Sequence, residues 1–127
     1  WRRERKRYIY LSENIPLRLI SPRRRPITTI ESGAFERCSA LREVTIPNKI
    51  TKIASSTFAN CGSLVSIFLP RNISTIESYA FEYCTSLETV GNITAETIGE
   101  RAFEGTGITN LTLGKSVKNI YHLNSIS

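Results

Sequence analysis

The sequence contains no methionine and no aspartate, and its 127 residues include a single histidine, His122. A general acid or base would therefore have to be a glutamate or this one imidazole near the C-terminal end. Nucleophile-elbow, zinc-protease and phosphate-loop motifs are also absent. These absences exclude the usual catalytic constellations. We predict that the protein is not an enzyme and holds neither a cofactor nor a metal ion.

Long hydrophobic runs are absent as well. No apolar segment reaches the roughly 18–20 residues that a membrane-spanning helix needs. The basic start is not followed by the apolar region of a secretory signal peptide. Because the chain begins at Trp1 and lacks methionine, we expect it to be a fragment or a processed product, so the missing signal says little about the compartment.

The positive charge is concentrated at the N-terminal end. The whole chain carries a net charge of +6, whereas residues 1–26 hold nine Arg or Lys and two Glu, a balance of +7. Such a segment can bind the phosphates of nucleic acid or an anionic membrane surface. It lacks the motifs of sequence-specific nucleic-acid-binding domains. The other interpretation, a solvated segment that flanks the folded body, stays open.

Apolar residues recur along the chain with a period of 23. The recurring columns are Ile30, Ile53, Ile76 and Ile98; Phe35, Phe58, Phe81 and Phe103; Cys38, Cys61 and Cys84; and Leu41, Leu64 and Leu87. A unit this short cannot enclose its own apolar side chains, so successive units must stack to bury them. We predict a solenoid of about four repeats with these columns in its core.

Each unit contains a short stretch with the alternation of a β-strand, such as LREVTIP at 41–47. Because every unit returns the chain in the same direction, one parallel strand per unit is expected. The predicted strands centre near residues 43–46, 66–69, 88–90 and 110–113. Segments such as IESGAFERC suit a helical or 3₁₀ turn. The third unit is one residue short, so its strand should end early or bulge at Gly91.

The three cysteines are odd in number, which disfavours a closed disulfide framework. They form no close pair and have no neighbouring histidine, as a metal site would require. A free cysteine packs as a small hydrophobic residue. We therefore predict that Cys38, Cys61 and Cys84 are buried and reduced, with a functional thiol as the alternative.

The combined pattern IxxxAFxxCxxLxxIxLP resembles the BspA-like class of leucine-rich repeats over roughly residues 27–120. The resemblance implies a leucine-rich-repeat solenoid, with short parallel β-strands on a concave face and helical or 3₁₀ turns on the other side. Members are surface or secreted proteins of bacteria and parasitic protists. The resemblance therefore implies a cell-surface or secreted location and adhesin-like binding.

We divide the chain into a basic flanking segment that can be read as a decayed repeat (1–26), the repeats (27–116) and the truncated start of a further repeat (117–127). The expected function is protein–protein interaction through the concave face. A scaffold whose basic arm, residues 1–26, binds nucleic acid or an anionic membrane is the alternative.

Outward positions of the strands supply the candidate binding residues for a protein partner. These are Phe68, Arg42, Arg71, Glu43, Glu88, Asn110 and Lys115. Phe68 stands out because a large apolar side chain at an outward position gains nothing from the core, and aromatic and Arg residues dominate interface hot spots. The alternative is that Phe68 only covers neighbouring strand surface.

Three N-glycosylation sequons begin at Asn72, Asn92 and Asn110. They are relevant only to a chain that passes through a eukaryotic secretory pathway.

Overall fold

The structure is a computed structural model. It describes residues 28–91 and 93–109, together with the backbone of two further strands at 8–10 and 119–120. In this part of the chain the regular elements are short β-strands, and no helix is present that is long and apolar enough to cross a membrane. The strands are β1 (Tyr8–Tyr10), β2 (Glu43–Thr45), β3 (Lys52–Ile53), β4 (Ser66–Phe68), β5 (Thr75–Ile76), β6 (Thr89–Val90), β7 (Thr97–Ile98) and β8 (Asn119–Ile120).

The first sheet has the order β1-β2-β4-β6, and all of its strands run parallel. Val44 pairs in register with Ile67, and Ile67 pairs with Val90. The predicted strands at 43–46, 66–69 and 88–90 are confirmed, whereas 110–113 lies outside the described residues. β6 ends at Val90, before Gly91, as the missing residue of the third unit predicts.

A second parallel sheet, of order β3-β5-β7-β8, corrects the prediction of one strand per unit. Ile53, Ile76 and Ile98 lie in register within it and are fully buried. Each of these strands has only two residues, too few to show a two-residue alternation in the sequence. Hydrogen bonds between stacked units make them strands.

The segments expected to be helical or 3₁₀ are stacked hydrogen-bonded turns instead. In the first described unit, the amides of Gly33, Phe35 and Arg37 donate to carbonyls of the next unit at 2.8–3.0 Å. The intervening amides donate three residues back, as Glu36 does to Gly33 at 3.1 Å. Every second backbone amide of the turn therefore donates to the neighbouring unit. The turn cannot form a continuous helix because these amides are not available for hydrogen bonds within it.

Residues with positive φ bend each turn at two places four residues apart. The pairs are Gly33 and Arg37, Ser56 and Asn60, Tyr79 and Tyr83, and Arg101 and Gly105. Six of these eight are not glycine, although the left-handed region is costly for residues with a Cβ. Because the bends recur at the same place in each unit, the chain returns in register to the next strand.

The core is one continuous stack of the predicted columns. Every predicted core residue is at most 7% exposed. The rings of Phe35, Phe58, Phe81 and Phe103 form a ladder with centroid separations of 5.3–5.5 Å and interplanar angles of 5–8°. The prediction of a parallel solenoid with the repeated Phe residues inside is confirmed.

Candidate binding face

The outward side of the first sheet, called the strand face below, is exposed because β2, β4 and β6 alternate between core and solvent. Val44 and Ile67 are fully buried, while their neighbours along each strand are partly or fully exposed. The strand face consists of Arg42, Glu43, Thr45, Val65, Ser66, Phe68, Glu88 and Thr89.

Hydrogen bonds between units hold these residues in rows. The Val65 amide donates to the Arg42 carbonyl at 2.8 Å, and the Glu88 amide donates to the Val65 carbonyl at 3.0 Å. The strand register continues this alignment, since Glu43 pairs with Ser66 and Thr45 pairs with Phe68. Parallel strands lie about 4.8 Å apart, so the side chains of one row are near neighbours.

The middle unit supplies the apolar part of the strand face. Phe68 is 48% exposed and Val65 is 39% exposed, with the partly exposed Ser66 between them. Thr45 flanks Phe68 on the β2 side. On the β6 side the register would continue to Gly91, where no atom beyond the chain neighbours lies within 4 Å of an added Cβ. Among the described residues, no side chain therefore covers this flank of Phe68.

Charged residues border this apolar part. Arg42 and Glu43 precede and begin β2, and Glu88 precedes β6. None of the three forms an ion pair within the described part of the chain. A charged border around an uncharged centre is the arrangement seen in protein interfaces, where the centre is depleted of charge.

The structure brings together only some of the sequence-predicted site residues. Phe68, Arg42, Glu43 and Glu88 share the strand face. Arg71 lies past Pro70 at the corner after β4, where it is exposed beside Asn72 and lines a shallow depression with Asn48. Asn110 and Lys115 lie outside the described residues. The shortened third strand is visible in the sequence, whereas the position of Gly91 relative to Phe68 depends on the pairing of β4 with β6.

The cysteine column lies inside the stack, as predicted. Cys38, Cys61 and Cys84 are not disulfide-bonded and are at most 1% exposed. The Cys61 thiol donates to the Phe35 carbonyl at 3.1 Å, and the Cys84 thiol donates to the Phe58 carbonyl at 2.9 Å. The hydrogen bond with the Cys61 side chain, together with burial, holds the pKa of Cys84 far above its usual range. A thiol that stays protonated is a poor nucleophile and metal ligand, so a packing role is favoured.

The side of the solenoid formed by the stacked turns, called the turn side, carries the carboxylates of Glu82 and Glu104 close together. Burial, and then the nearby Glu104 carboxylate, raise the pKa of Glu82, while Arg101 acts in the opposite direction. Arg101 also forms an ion pair with Glu104, with Nε and Oε2 3.4 Å apart. Tyr83, on the same turn, is 47% exposed. Within the described residues no group of His, Cys, Asp or Glu is arranged to hold a metal ion.

One glycosylation sequon can be placed. The Asn72 side-chain amide donates to the Asn48 carbonyl at 2.5 Å, and the Ser74 hydroxyl donates to the Thr51 carbonyl at 3.1 Å. Both polar groups of the sequon thus link neighbouring units. Asn92 and Asn110 lie outside the described residues.

Two parallel sheets, stacked unit by unit around ladders of Phe, Cys and Leu, define a leucine-rich-repeat solenoid. Residues 14–123 match, in six copies, the family described as BspA type leucine rich repeat region. The chain therefore belongs to the BspA-type leucine-rich-repeat family. A search of curated protein sequences finds no significant match.

Solved structures of other leucine-rich-repeat proteins are similar. A leucine-rich repeat protein from Bacteroides ovatus ATCC 8483 is 27% identical with a TM-score of 0.72, over 90% of this chain and 27% of that one. The T. pallidum leucine rich repeat protein is 26% identical with a TM-score of 0.77, over 91% of this chain and 51% of the other.

A leucine rich cell surface protein from Faecalibacterium prausnitzii A2-165 is 24% identical with a TM-score of 0.58, over 100% of this chain and 36% of that one. At that identity the likeness supports the fold alone. The chain thus spans about half or less of the length of these solved proteins.

Proposed function

We propose that the protein is an adhesin-like interaction module that binds a protein partner through its strand face and acts by binding, without catalysis. Leucine-rich repeats are in general protein-interaction modules, and a solenoid presents an extended surface to which several units contribute. The observation that carries the proposal is Phe68, a ring 48% exposed on a sheet whose other large apolar side chains are mostly buried. Exposed aromatic residues bordered by charge are typical interface anchors.

We further propose a cell-surface or secreted location. Its support is the family. Partners would then be sought among proteins that are themselves exposed outside cells.

The test is a binding screen of the purified protein against an array of secreted and cell-surface proteins, followed by measurement of affinity for each partner found. Phe68→Ser should weaken binding about tenfold or more, because it removes the apolar anchor. Tyr83→Ser is the matched control, since Tyr83 is 47% exposed but lies on the turn side. The affinity of the Tyr83→Ser variant for the partner should equal that of the wild-type protein.

A partner whose affinity is unchanged by Phe68→Ser, while thermal unfolding is also unchanged, would remove Phe68 from the binding site. Loss of folding stability in Phe68→Ser alone would return this side chain to a structural role.

A further inference from the structure

We propose that the gap between Phe68 and Gly91 is a specificity niche, which receives an aromatic side chain of the protein partner while a Lys or Arg of the same segment faces Glu88. The proposal rests on the proposed function and names the chemistry of the partner. It is carried by three observations on the strand face: the open flank of Phe68, the absence of a conformational need for glycine at Gly91, and the lack of an ion pair to Glu88, the first and last as seen among the described residues.

The niche lies just past the end of β6, where extending the β4–β6 register by one residue would place a side chain opposite Phe68. Thr45 pairs with Phe68, and the next residue in the β4–β6 register after the Ile67–Val90 pair is Gly91. A Cβ built on Gly91 would meet no atom within 4 Å outside its chain neighbours. No side chain of the described residues fills the space that a third side chain of this row would occupy, and a partner can use it.

The fold does not require glycine at this position. Gly105 has a φ of +74°, and a Cβ on Gly99 would collide with the backbone of Ser78. Gly91 shows neither constraint, since its φ lies outside the positive region and the space around it is empty. Glycine within or beside a strand weakens the strand, so its presence here favours a role for the open space.

The internal Phe ladder shows which side chain would fit. Rings one unit apart in this solenoid stack with centroids 5.3–5.5 Å apart and nearly parallel planes. Extending the register of Ile67 with Val90 by one residue puts the Gly91 position one unit from Phe68. A partner ring placed there would meet Phe68 at a comparable separation, within the 4.5–7 Å favoured by aromatic pairs.

The charges on the strand face indicate which partner side chain would lie near that aromatic ring. Arg42 and Glu43 are neighbours of opposite charge, and Thr45, Ser66 and Thr89 are neutral. Glu88 is exposed and forms no ion pair within the described residues, so the third unit is locally acidic. It lies three residues before Gly91, about 10 Å along the chain. A cationic side chain of the partner at that distance from its aromatic residue is favoured.

The probe is the capped peptide Trp-Gly-Gly-Arg, whose flexible Gly-Gly linker lets both end side chains face the same surface with their Cα atoms up to about 10 Å apart. Titration into the ¹⁵N-labelled protein should shift the amides of Phe68, Gly91 and Glu88 and leave that of Tyr83 in place. The peptides Gly-Gly-Gly-Arg and Trp-Gly-Gly-Glu should bind about fivefold more weakly or worse, since each lacks one half of the recognised pair.

Gly91→Val is the decisive variant, because its side chain fills the niche while Phe68 and Glu88 remain unsubstituted. Peptide affinity should fall about tenfold or more, while thermal stability stays equal or rises. Gly62→Val is the matched control, since Gly62 also has ordinary φ and only a contact of 3.9 Å around its Cβ position. It should bind the peptide as the wild-type protein does. Glu88→Gln should abolish the preference for Arg over Glu in the peptide.

Equal peptide binding by Gly91→Val and the wild-type protein would overturn the niche, as would equal binding of the peptide without Trp. If methyl β-D-glucopyranoside shifts these amides and no peptide does, the occupant is a sugar and the proposal is wrong. If no peptide binds but a protein partner from the screen depends on Phe68, the niche fails while the proposed function stands.

Discussion

Phe58 and Phe68 are the same residue type in opposite environments. Phe58 is fully buried between Phe35 and Phe81, with ring centroids 5.5 and 5.4 Å away, whereas Phe68 is 48% exposed. Replacing Phe58 with Ala should lower the free energy of unfolding by about 3–5 kcal/mol, because the stacked neighbours cannot close the cavity. Phe68→Ala should cost well under half of that. Urea unfolding of both variants measures the difference, and equal losses would contradict the assignment of inside and outside.

The raised pKa of Glu82 makes the free energy of unfolding depend on pH, and the direction of this dependence is defined. Burial and Glu104 raise the pKa of Glu82, so the folded state binds this proton more readily than the unfolded state does. The associated stabilisation is present at low pH and is lost as pH rises from the usual Glu range through the raised pKa of the folded state.

Glu82→Gln should therefore raise the free energy of unfolding at pH 7 and make little difference near pH 4. Urea titrations at both pH values test this expectation, with Glu96→Gln, an exposed carboxylate, as the control for removing charge. A variant that is less stable than the wild-type protein at pH 7 would contradict the sign.

Gly91 and Gly99 lie in opposite environments. Gly99 follows β7, and a Cβ there would collide with the backbone nitrogen of Ser78. Backbone cannot move aside as the tip of a side chain can, so Gly99→Ala should cost about 1–3 kcal/mol. A Cβ on Gly91 has no heavy atom within 4 Å outside its chain neighbours, so Gly91→Ala should leave the free energy of unfolding unchanged or raise it slightly. Thermal unfolding of the pair checks this, and a stable Gly99→Ala protein would show that the two units are stacked less closely.

Predictability from the sequence differed between elements. The strands of the first sheet were found because a segment such as LREVTIP alternates between core and solvent over several residues. The strands of the second sheet were missed because their two residues are defined by hydrogen bonds to other units. The turns were expected to be helical because non-glycine residues such as Arg37 and Tyr79 give no sequence signal of a positive φ.

The candidate site was predictable to the level of Phe68 and three charged neighbours. An apolar residue at an outward strand position is visible in the sequence, and so is the missing residue of the third unit. The open flank of Phe68 required the pairing of β4 with β6, which depends on hydrogen bonds between units. Arg71 was assigned to the sheet by counting along the strand, and the turn after Pro70 places it at the corner instead.

The charge of the molecule is distributed unevenly, and the salt dependence of binding therefore distinguishes the two functions considered for it. Residues 1–26 carry a net +7, whereas the rest of the chain is close to neutral. Binding through 6–10 phosphate contacts would fall by about 10³–10⁵ between roughly 50 and 200 mM salt. Binding centred on Phe68 should change only a few-fold over that range. The affinities for a protein partner and for a DNA duplex, each measured at both salt concentrations, distinguish the two functions. Tight DNA binding that falls steeply with salt would favour the basic segment.

Hydroxyl-radical footprinting read by mass spectrometry tests most directly the claim that the strand face is the binding surface. In the free protein, Phe68 and Tyr83 should be oxidised readily, and the buried rings of Phe35, Phe58, Phe81 and Phe103 should be protected. When a partner from the screen is bound, Phe68 should become protected while Tyr83 stays reactive. Protection of Tyr83 with Phe68 still oxidised would place the partner on the turn side and contradict the account.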